Sequence, residues 1–415
     1  MWASRSAAPS LLIALLCGCA APARISLELA PAPAALERTY AGFWQAALAF
    51  DFERAEALAA RDAQRQYLRA VRLVADGRLE AAQETLSKLI AGRDAEAVPH
   101  ARALLIAVVK ETTSIPDNAF TSRVDRSFAE ALHEAKARSR WHFPPRPLAL
   151  AFERGASHTP RVPASVNGVP TELGLDSGAG LTVIGSELAE AVGARLLGAR
   201  TGARDAHGEG VLVELAVVDL EVGGIVIENL PVMVIDSARL RFRVSGLEVS
   251  GFDGVLGWNA LAPLRIVIDN RARTLSLEPS SAGKQPRGGD FFWVGEPYVR
   301  ARSSNGLPLT LFLDTGASRS AIAEPLAAAA GLREGITRST TVMAAGSTRR
   351  MEITVHRDAA LHVGGARIRL DELQAIAPRS TGYAVRDGVL GADALLEGRV
   401  VVDFLAGEFT VTPAR

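Results

Sequence analysis

The chain carries one domain-sized pattern twice, and this repetition restricts its possible folds more than any other feature. Leu173-Gly174-Leu175-Asp176-Ser177-Gly178-Ala179 and Leu311-Phe312-Leu313-Asp314-Thr315-Gly316-Ala317 are apolar runs ending in Asp-[Ser/Thr]-Gly-Ala, 138 residues apart. Asn167-Gly168-Val169-Pro170 and Asn305-Gly306-Leu307-Pro308 precede them at the same offset of 138. Downstream, Leu220-Glu221-Val222-Gly223-Gly224 matches Leu361-His362-Val363-Gly364-Gly365 at an offset of 141. Asp253-Gly254-Val255-Leu256-Gly257 then matches Asp387-Gly388-Val389-Leu390-Gly391 at 134, and Ile266-Val267-Ile268-Asp269 matches Val400-Val401-Val402-Asp403 at the same offset. Landmarks that recur in one order make a tandem repeat of one domain. The drift places three extra residues early in the second copy and seven late in the first. Such insertions belong in loops.

Each copy resembles a lobe of a retropepsin-type aspartic protease, and two in one chain resemble the bilobal pair of the pepsins. The resemblance covers roughly residues 148–413 and rests on Asp-[Ser/Thr]-Gly-Ala and on the later Val255-Leu256-Gly257 and Val389-Leu390-Gly391. It implies two mainly-β lobes, at 148–280 and 288–415, with Asp176 and Asp314 as the catalytic residues, one from each lobe. Peptide hydrolysis without a metal needs a water that is deprotonated as it attacks, and an acid for the carbonyl oxygen. Two carboxylates about 3 Å apart cannot both ionise, so one keeps a proton while the other acts as base. The pair titrates as a unit. By the same resemblance, the hydroxyls of Ser177 and Thr315 bond across the lobe interface, and the apolar-apolar-Gly segments pack beneath the catalytic loops. Gly178 and Gly316 permit the tight turns that let the loops approach each other.

Both copies carry alanine, Ala179 and Ala317, where pepsin-like enzymes often have a hydroxyl residue. Fewer donors to the charged form leave the pair's pKa higher, which predicts an activity optimum in mild acid. The family also implies a flap that covers substrate. The candidates are Arg204-Asp205-Ala206-His207-Gly208-Glu209-Gly210 and Ala344-Ala345-Gly346-Ser347, small Gly-containing segments between apolar β-like runs. Neither holds the tyrosine found in pepsin flaps. His207 reads as an exposed loop histidine, with substrate contact as the alternative. Asp253 and Asp387 read as structural, because each opens an Asp-Gly turn.

Composition fits an exported globular enzyme. The 46 basic and 46 acidic residues cancel, so there is no electrostatic footprint for nucleic acid. A length of 415 residues suits two or three domains. The only cysteines are Cys17 and Cys19, so there is no disulfide framework and no Cys/His cluster for a metal, and the chemistry calls for no cofactor. Arg5 precedes the apolar run Leu11-Leu12-Ile13-Ala14-Leu15-Leu16, which has the length of a signal-peptide core rather than a spanning helix. Leu16-Cys17-Gly18-Cys19 resembles a bacterial lipobox. That implies removal of residues 1–18, lipidation of Cys19 and anchoring on the periplasmic face of the cell envelope, with Ala20 rather than aspartate pointing to the outer membrane. Ordinary cleavage and an uncleaved anchor are the alternatives.

Between residues 30 and 140 the pattern becomes Ala-, Leu- and Arg-rich with helical spacing. Leu79, Ala82, Leu86 and Leu89 fall on one helix face. Asp76-Gly77 separates that helix from an earlier one carrying Leu68 and Val71. Leu79-Glu80-Ala81-Ala82 and Phe52-Glu53-Arg54-Ala55 resemble the second-helix start of a tetratricopeptide hairpin, although their spacing of 27 is short of the usual repeat. The region is read either as a docking surface for a protein partner or as a spacer between protease and membrane. The prolines of Trp141-His142-Phe143-Pro144-Pro145-Arg146-Pro147 end it, and residues 280–289 read as an inter-lobe linker. The expected fold class is therefore multidomain, an all-α N-terminal helical-hairpin region followed by two mainly-β lobes. The expected function is an envelope aspartic endopeptidase acting on polypeptide as a monomer. The alternatives are a non-catalytic peptide-binding lipoprotein on the same fold, and a helical-repeat protein for which the lobes are a scaffold.

Overall fold

The computed structural model describes residues 12–13, 24–154, 157–205, 208–244, 247–281, 290–344 and 347–413. Cys17 and Cys19, residues 282–289 of the expected linker, and Ala206, His207, Ala345 and Gly346 of the expected flaps lie outside them. The chain is mostly β, with a set of helices at its N-terminal end.

The repeat in sequence becomes a repeat in topology. In lobe 1 the strands lie in the order Arg195–Asp205, Gly210–Val222, Ile225–Ile235, Val183–Gly185, Gly254–Leu256, Val169–Leu175, Pro160–Val166. Lobe 2 has the same order: Ile336–Ala344, Ser347–Val363, Ala366–Ile376, Ala321–Ala323, Gly388–Leu390, Pro308–Leu313, Pro297–Ser303. Turn chemistry sets the register. Asn167 and Gly168 have φ of 49° and 79°, the left-handed pair that closes a two-residue hairpin between Pro160–Val166 and Val169–Leu175. The seven extra residues of lobe 1 fall where its hairpin, Arg241–Val244 against Leu247–Gly251, is longer than the pair Arg379–Ser380 and Val385–Arg386 at the same place in lobe 2.

One sheet joins the lobes. Leu264–Asp269 of lobe 1 runs antiparallel to Arg399–Asp403 of lobe 2, with Ile266 opposite Val402, Val267 opposite Val401 and Ile268 opposite Val400. Val267 thus faces its own repeat equivalent, which is the register required where an approximate two-fold axis crosses an antiparallel pair. That axis carries the two Asp-[Ser/Thr]-Gly loops toward one another.

Among the described residues, six helices precede the lobes: α1 (Phe43–Leu48), α2 (Phe52–Leu58), α3 (Asp62–Ala75), α4 (Leu79–Ala91), α5 (Ala97–Val109) and α6 (Arg123–Arg138). The expected face of α4 is seen in the burial of Ala82, Leu86 and Leu89, and the segments at Phe52 and Leu79 both begin helices. The helices are not held apart from the lobes. Phe50 meets Phe292 and Tyr298 edge-on, at 5.6 and 4.9 Å between ring centroids, and the apolar cluster of α1–α5 runs on into Phe312 and Val389 of lobe 2. Each fully buried side chain of this size contributes roughly 1.5–3 kcal/mol, so packing rather than propensity holds these short helices. α6 instead packs on the strands of lobe 1. The flanking chain is shared out as well. Ile25–Glu28 adds a strand to Ala366–Ile376 of lobe 2, and Arg140–His142 adds one to Ile225–Ile235 of lobe 1.

Candidate active site

Each Asp-[Ser/Thr]-Gly loop hangs from the strand that follows it in the repeat. Gly254–Leu256 runs parallel to Val169–Leu175, and Asp176 N donates to Leu256 O at 3.0 Å; Asp314 N donates to Leu390 O at the same 3.0 Å. Trp258 N donates to Ala179 O and Ala392 N to Ala317 O, both at 2.7 Å. The apolar-apolar-Gly segments therefore lie directly beneath the loops and fix both ends of each turn.

Across the lobe interface the loops lock reciprocally. Ser177 Oγ donates to Leu313 O at 2.8 Å and accepts from Thr315 N at 3.1 Å. Thr315 Oγ1 donates to Leu175 O at 2.7 Å and accepts from Ser177 N at 3.0 Å. Four buried hydrogen bonds thus join two loops that belong to different lobes. Glycine is required for this approach. A Cβ on Gly178 would stand 2.6 Å from Asp314 Oδ1, and one on Gly316 would stand 2.6 Å from Asp176 Cγ.

Asp176 and Asp314 are brought together at the centre, 0% and 1% exposed. Gly178 N and Ala179 N donate to Asp176 Oδ1 at 2.9 and 3.1 Å, while Gly316 N and Ala317 N donate to Asp314 Oδ1, both at 3.0 Å. The buried outer oxygens, Asp176 Oδ2 and Asp314 Oδ2, receive no bond from any other donor among the described residues. The two carboxyls adjoin closely enough that ionising one disfavours ionising the other, so a single proton is shared between them. Burial, and then the charge of Asp314, raises Asp176 well above the usual carboxylate range. Burial also pushes Asp314 up to about 7, but the nearby Arg386 guanidinium holds it lower than its partner. The Arg386 charge beside Asp314 biases the shared proton toward Asp176.

Arg386 was not singled out by the sequence. It is buried, ion-paired with Glu296 (Nε to Oε2 3.1 Å), and stacked 4.0 Å from the centroid of the Phe312 ring. Tyr298 Oη donates to Glu296 Oε2 at 2.9 Å, completing the carboxylate's shell. The offset of 134 places Phe252 at the matching position of lobe 1, so comparison of the two copies was the signal that could have found it. A second missed pair lies behind the loops. Thr182 N and Oγ1 donate to Asn259 Oδ1 at 2.7 and 3.0 Å, and Ser320 N and Oγ donate to Asp393 Oδ1 at 2.8 and 2.6 Å. Asp253 is exposed, whereas Asp387 is buried, pairs with Arg38 at 2.5 Å and accepts from Thr310 N at 2.9 Å. The expected flap segments sit at hairpin tips. Arg204 pairs with Gly210 in one and Ala344 with Ser347 in the other, and the tips meet through Ser347 to Asp205 and Arg349 to Glu209. A cavity of about 360 Å³ lies between the helices and both lobes, walled by Trp141, Trp258 and Trp293, but no residue of either aspartate loop lines it.

Comparison with known families agrees with this geometry. Residues 162–260 match the family described as "Aspartyl protease", and residues 302–397 match the one described as "gag-polyprotein putative aspartyl protease". Both repeats are aspartyl protease domains. The chain is accordingly an aspartic-type peptidase. Asp176 falls inside the first matched stretch and Asp314 inside the second. No curated protein matches the chain.

Proposed function

We propose that the protein is an endopeptidase in which Asp176 and Asp314 activate one water between the two lobes. The observation that carries this reading is the buried pair of adjoining carboxyls, each held by two backbone N–H groups. Asp314 takes a proton from the attacking water, and Asp176 gives its proton to the carbonyl oxygen of the scissile peptide. Collapse of the resulting diol returns a proton to the leaving nitrogen, and the dyad again shares one proton. Because one chain supplies both aspartates, a monomer suffices. The lipobox reading adds attachment to the cell envelope through Cys19, which mass spectrometry of the mature N-terminus tests: an unmodified product starting elsewhere removes the anchor.

Asp176→Asn and Asp314→Asn are each expected to lower peptide cleavage by at least about 10²–10⁴-fold. The wild-type profile is expected to be bell-shaped and centred nearer neutral than the mild acid expected from Ala179 and Ala317, since both carboxyls are raised, Asp314 to about 7. Full turnover by either variant, or a maximum near pH 2, overturns the assignment. Stability is expected to move the other way. Folded carboxyls with raised pKa values hold protons that the unfolded chain releases near pH 4, so stability falls as pH rises from there toward 7. Each Asn variant is therefore expected to melt higher than wild type at pH 7, and less so at pH 4.

A further inference from the structure

We infer that α5 and α6 close the candidate cleft from within, and that polypeptide reaches the two aspartates only after this helical pair has moved aside. The inference rests on the peptidase reading of the site and adds its regulation.

The hairpin of lobe 1 shows what fills the cleft. Along its arms Thr201, Ala203 and Asp205 are buried, as are Val211 and Val213, while Leu212 between the last two is 66% exposed. Alternation assigns the buried set to one face of the hairpin, and α6 lies on that face. Phe128 and Leu132 share one apolar cluster with Ala203 and Val213, and the same cluster includes Ala179 and Val255. Ala179 ends the Asp176 loop, and Val255 is on the strand from which that loop hangs. α6 therefore packs on the strands of the hairpin, in an apolar cluster that continues down to the floor. Thr201 Oγ1 donates to Asp125 Oδ1 at 2.7 Å and pins the start of the helix there.

α5 covers the adjoining stretch. Ala103, Ile106 and Lys110 face Ser177 and Gly178 across a cavity of only about 60 Å³. This is far below the roughly 300–1,000 Å³ of pockets that take up ligands. The two helices are tied to each other: Lys136 Nζ donates to Lys110 O at 2.6 Å and pairs with Glu111 at 2.8 Å, and His133 shares a hydrogen bond with the Val109 carbonyl. These polar ties couple α6 to the end of α5, whose own apolar face packs with α3 and α4. The corresponding hairpin of lobe 2 carries no such cover, with Ile336 57% and Met351 40% exposed. The closure is one-sided, and the dyad beneath it is 0% and 1% exposed.

The test uses the full chain and a statyl peptide that mimics the tetrahedral intermediate, with binding followed by calorimetry and cleavage of a peptide library followed separately. Phe128→Ala with Leu132→Ala loosens α6 and is expected to tighten statyl-peptide binding at least about tenfold, by raising the open fraction. Because that variant can also weaken folding, a reversible lock complements it. With Cys17 and Cys19 changed to serine, Asp125→Cys and Thr201→Cys place a disulfide between α6 and the hairpin. The oxidised form is expected to bind no peptide, and reduction is expected to restore binding. Equal binding by the oxidised and reduced forms, or no binding by any form, overturns the closure. Binding by the loosened and reduced forms without any cleavage supports the closure and sinks the peptidase reading instead.

Discussion

The two lobes share one fold and differ in what presses on it. The hairpin of lobe 1 is buried along one face by α6, whereas its counterpart in lobe 2 is largely exposed on both. Asp253 of lobe 1 is exposed, and its equivalent Asp387 is sealed against Arg38. Phe252 corresponds to Arg386, and Asn259 to Asp393. Within the frame of the two aspartates the copies are nearly identical: the strand-to-loop bonds are 3.0 Å in both, and the loop-closing bonds 2.7 Å in both. The symmetric part of the molecule is the part that chemistry needs on both sides of one water. The asymmetric part puts the Arg386 charge beside Asp314 and lays α6 on the strands of lobe 1.

The largest expected effect tests the symmetric part. Gly178→Ala would put a methyl 2.6 Å from Asp314 Oδ1, and Gly316→Ala one 2.6 Å from Asp176 Cγ. Neither contact can be relieved without separating the loops, and a displacement of about 1 Å at reacting groups costs about 10²-fold or more. Both variants are expected to lose activity to a similar degree in a cleavage assay. Full activity in one and none in the other would break the equivalence of the two loops.

Arg386 tests the asymmetric part. Removing it leaves Glu296 buried and unpaired, so Arg386→Leu is expected to cost about 3–5 kcal/mol in denaturant unfolding, with much of that recovered when Glu296→Leu is added. The same change removes the positive charge that holds Asp314 below Asp176. In whatever fraction stays folded, the ascending limb of the pH–rate profile is expected to move to higher pH. An unshifted limb would mean that Arg386 does not set the order of ionisation.

Much of the frame was legible because a tandem repeat states its own landmarks. Asp176, Ser177 and Gly178, with Thr315, Gly316 and Asp314, could be picked out as two copies of one loop, and the inserted residues of lobe 1 do fall at a hairpin that is longer than its counterpart in lobe 2. The helical periodicity of Leu79–Leu89 was equally plain. The place of the helices was not. An apolar stripe requires burial but does not name its partner, so Phe128 and Leu132 read the same whether α6 covers a cleft or another helix. Ile25–Glu28 and Arg140–His142 are too short to announce that they join sheets hundreds and tens of residues away. Arg386 and Glu296 are 90 residues apart, and only folding brings them together.

The smallest expected effect makes lobe 2 like lobe 1 at one atom. Asp393 is fully buried and pushed up to about 6 by that burial, although Ser320 and Ala394 N–H donate to its Oδ1. Asn259 fills the same position in lobe 1 and carries no charge; its Nδ2 donates to Pro231 O at 2.7 Å. In the folded protein Asp393 keeps its proton until about pH 6, while the unfolded chain releases it near pH 4. The folded state therefore binds more protons across that window, and stability falls as pH rises through it. Asp393→Asn is expected to remove this fall, a change on the order of 2 kcal/mol between pH 4 and pH 7, while cleavage stays within a few-fold of wild type. Melting curves at pH 4 and pH 7 measure it. Unchanged pH dependence in the variant would show that Asp393 is ionised throughout, with its charge carried by the Ser320 and Ala394 donors and by Arg319 nearby.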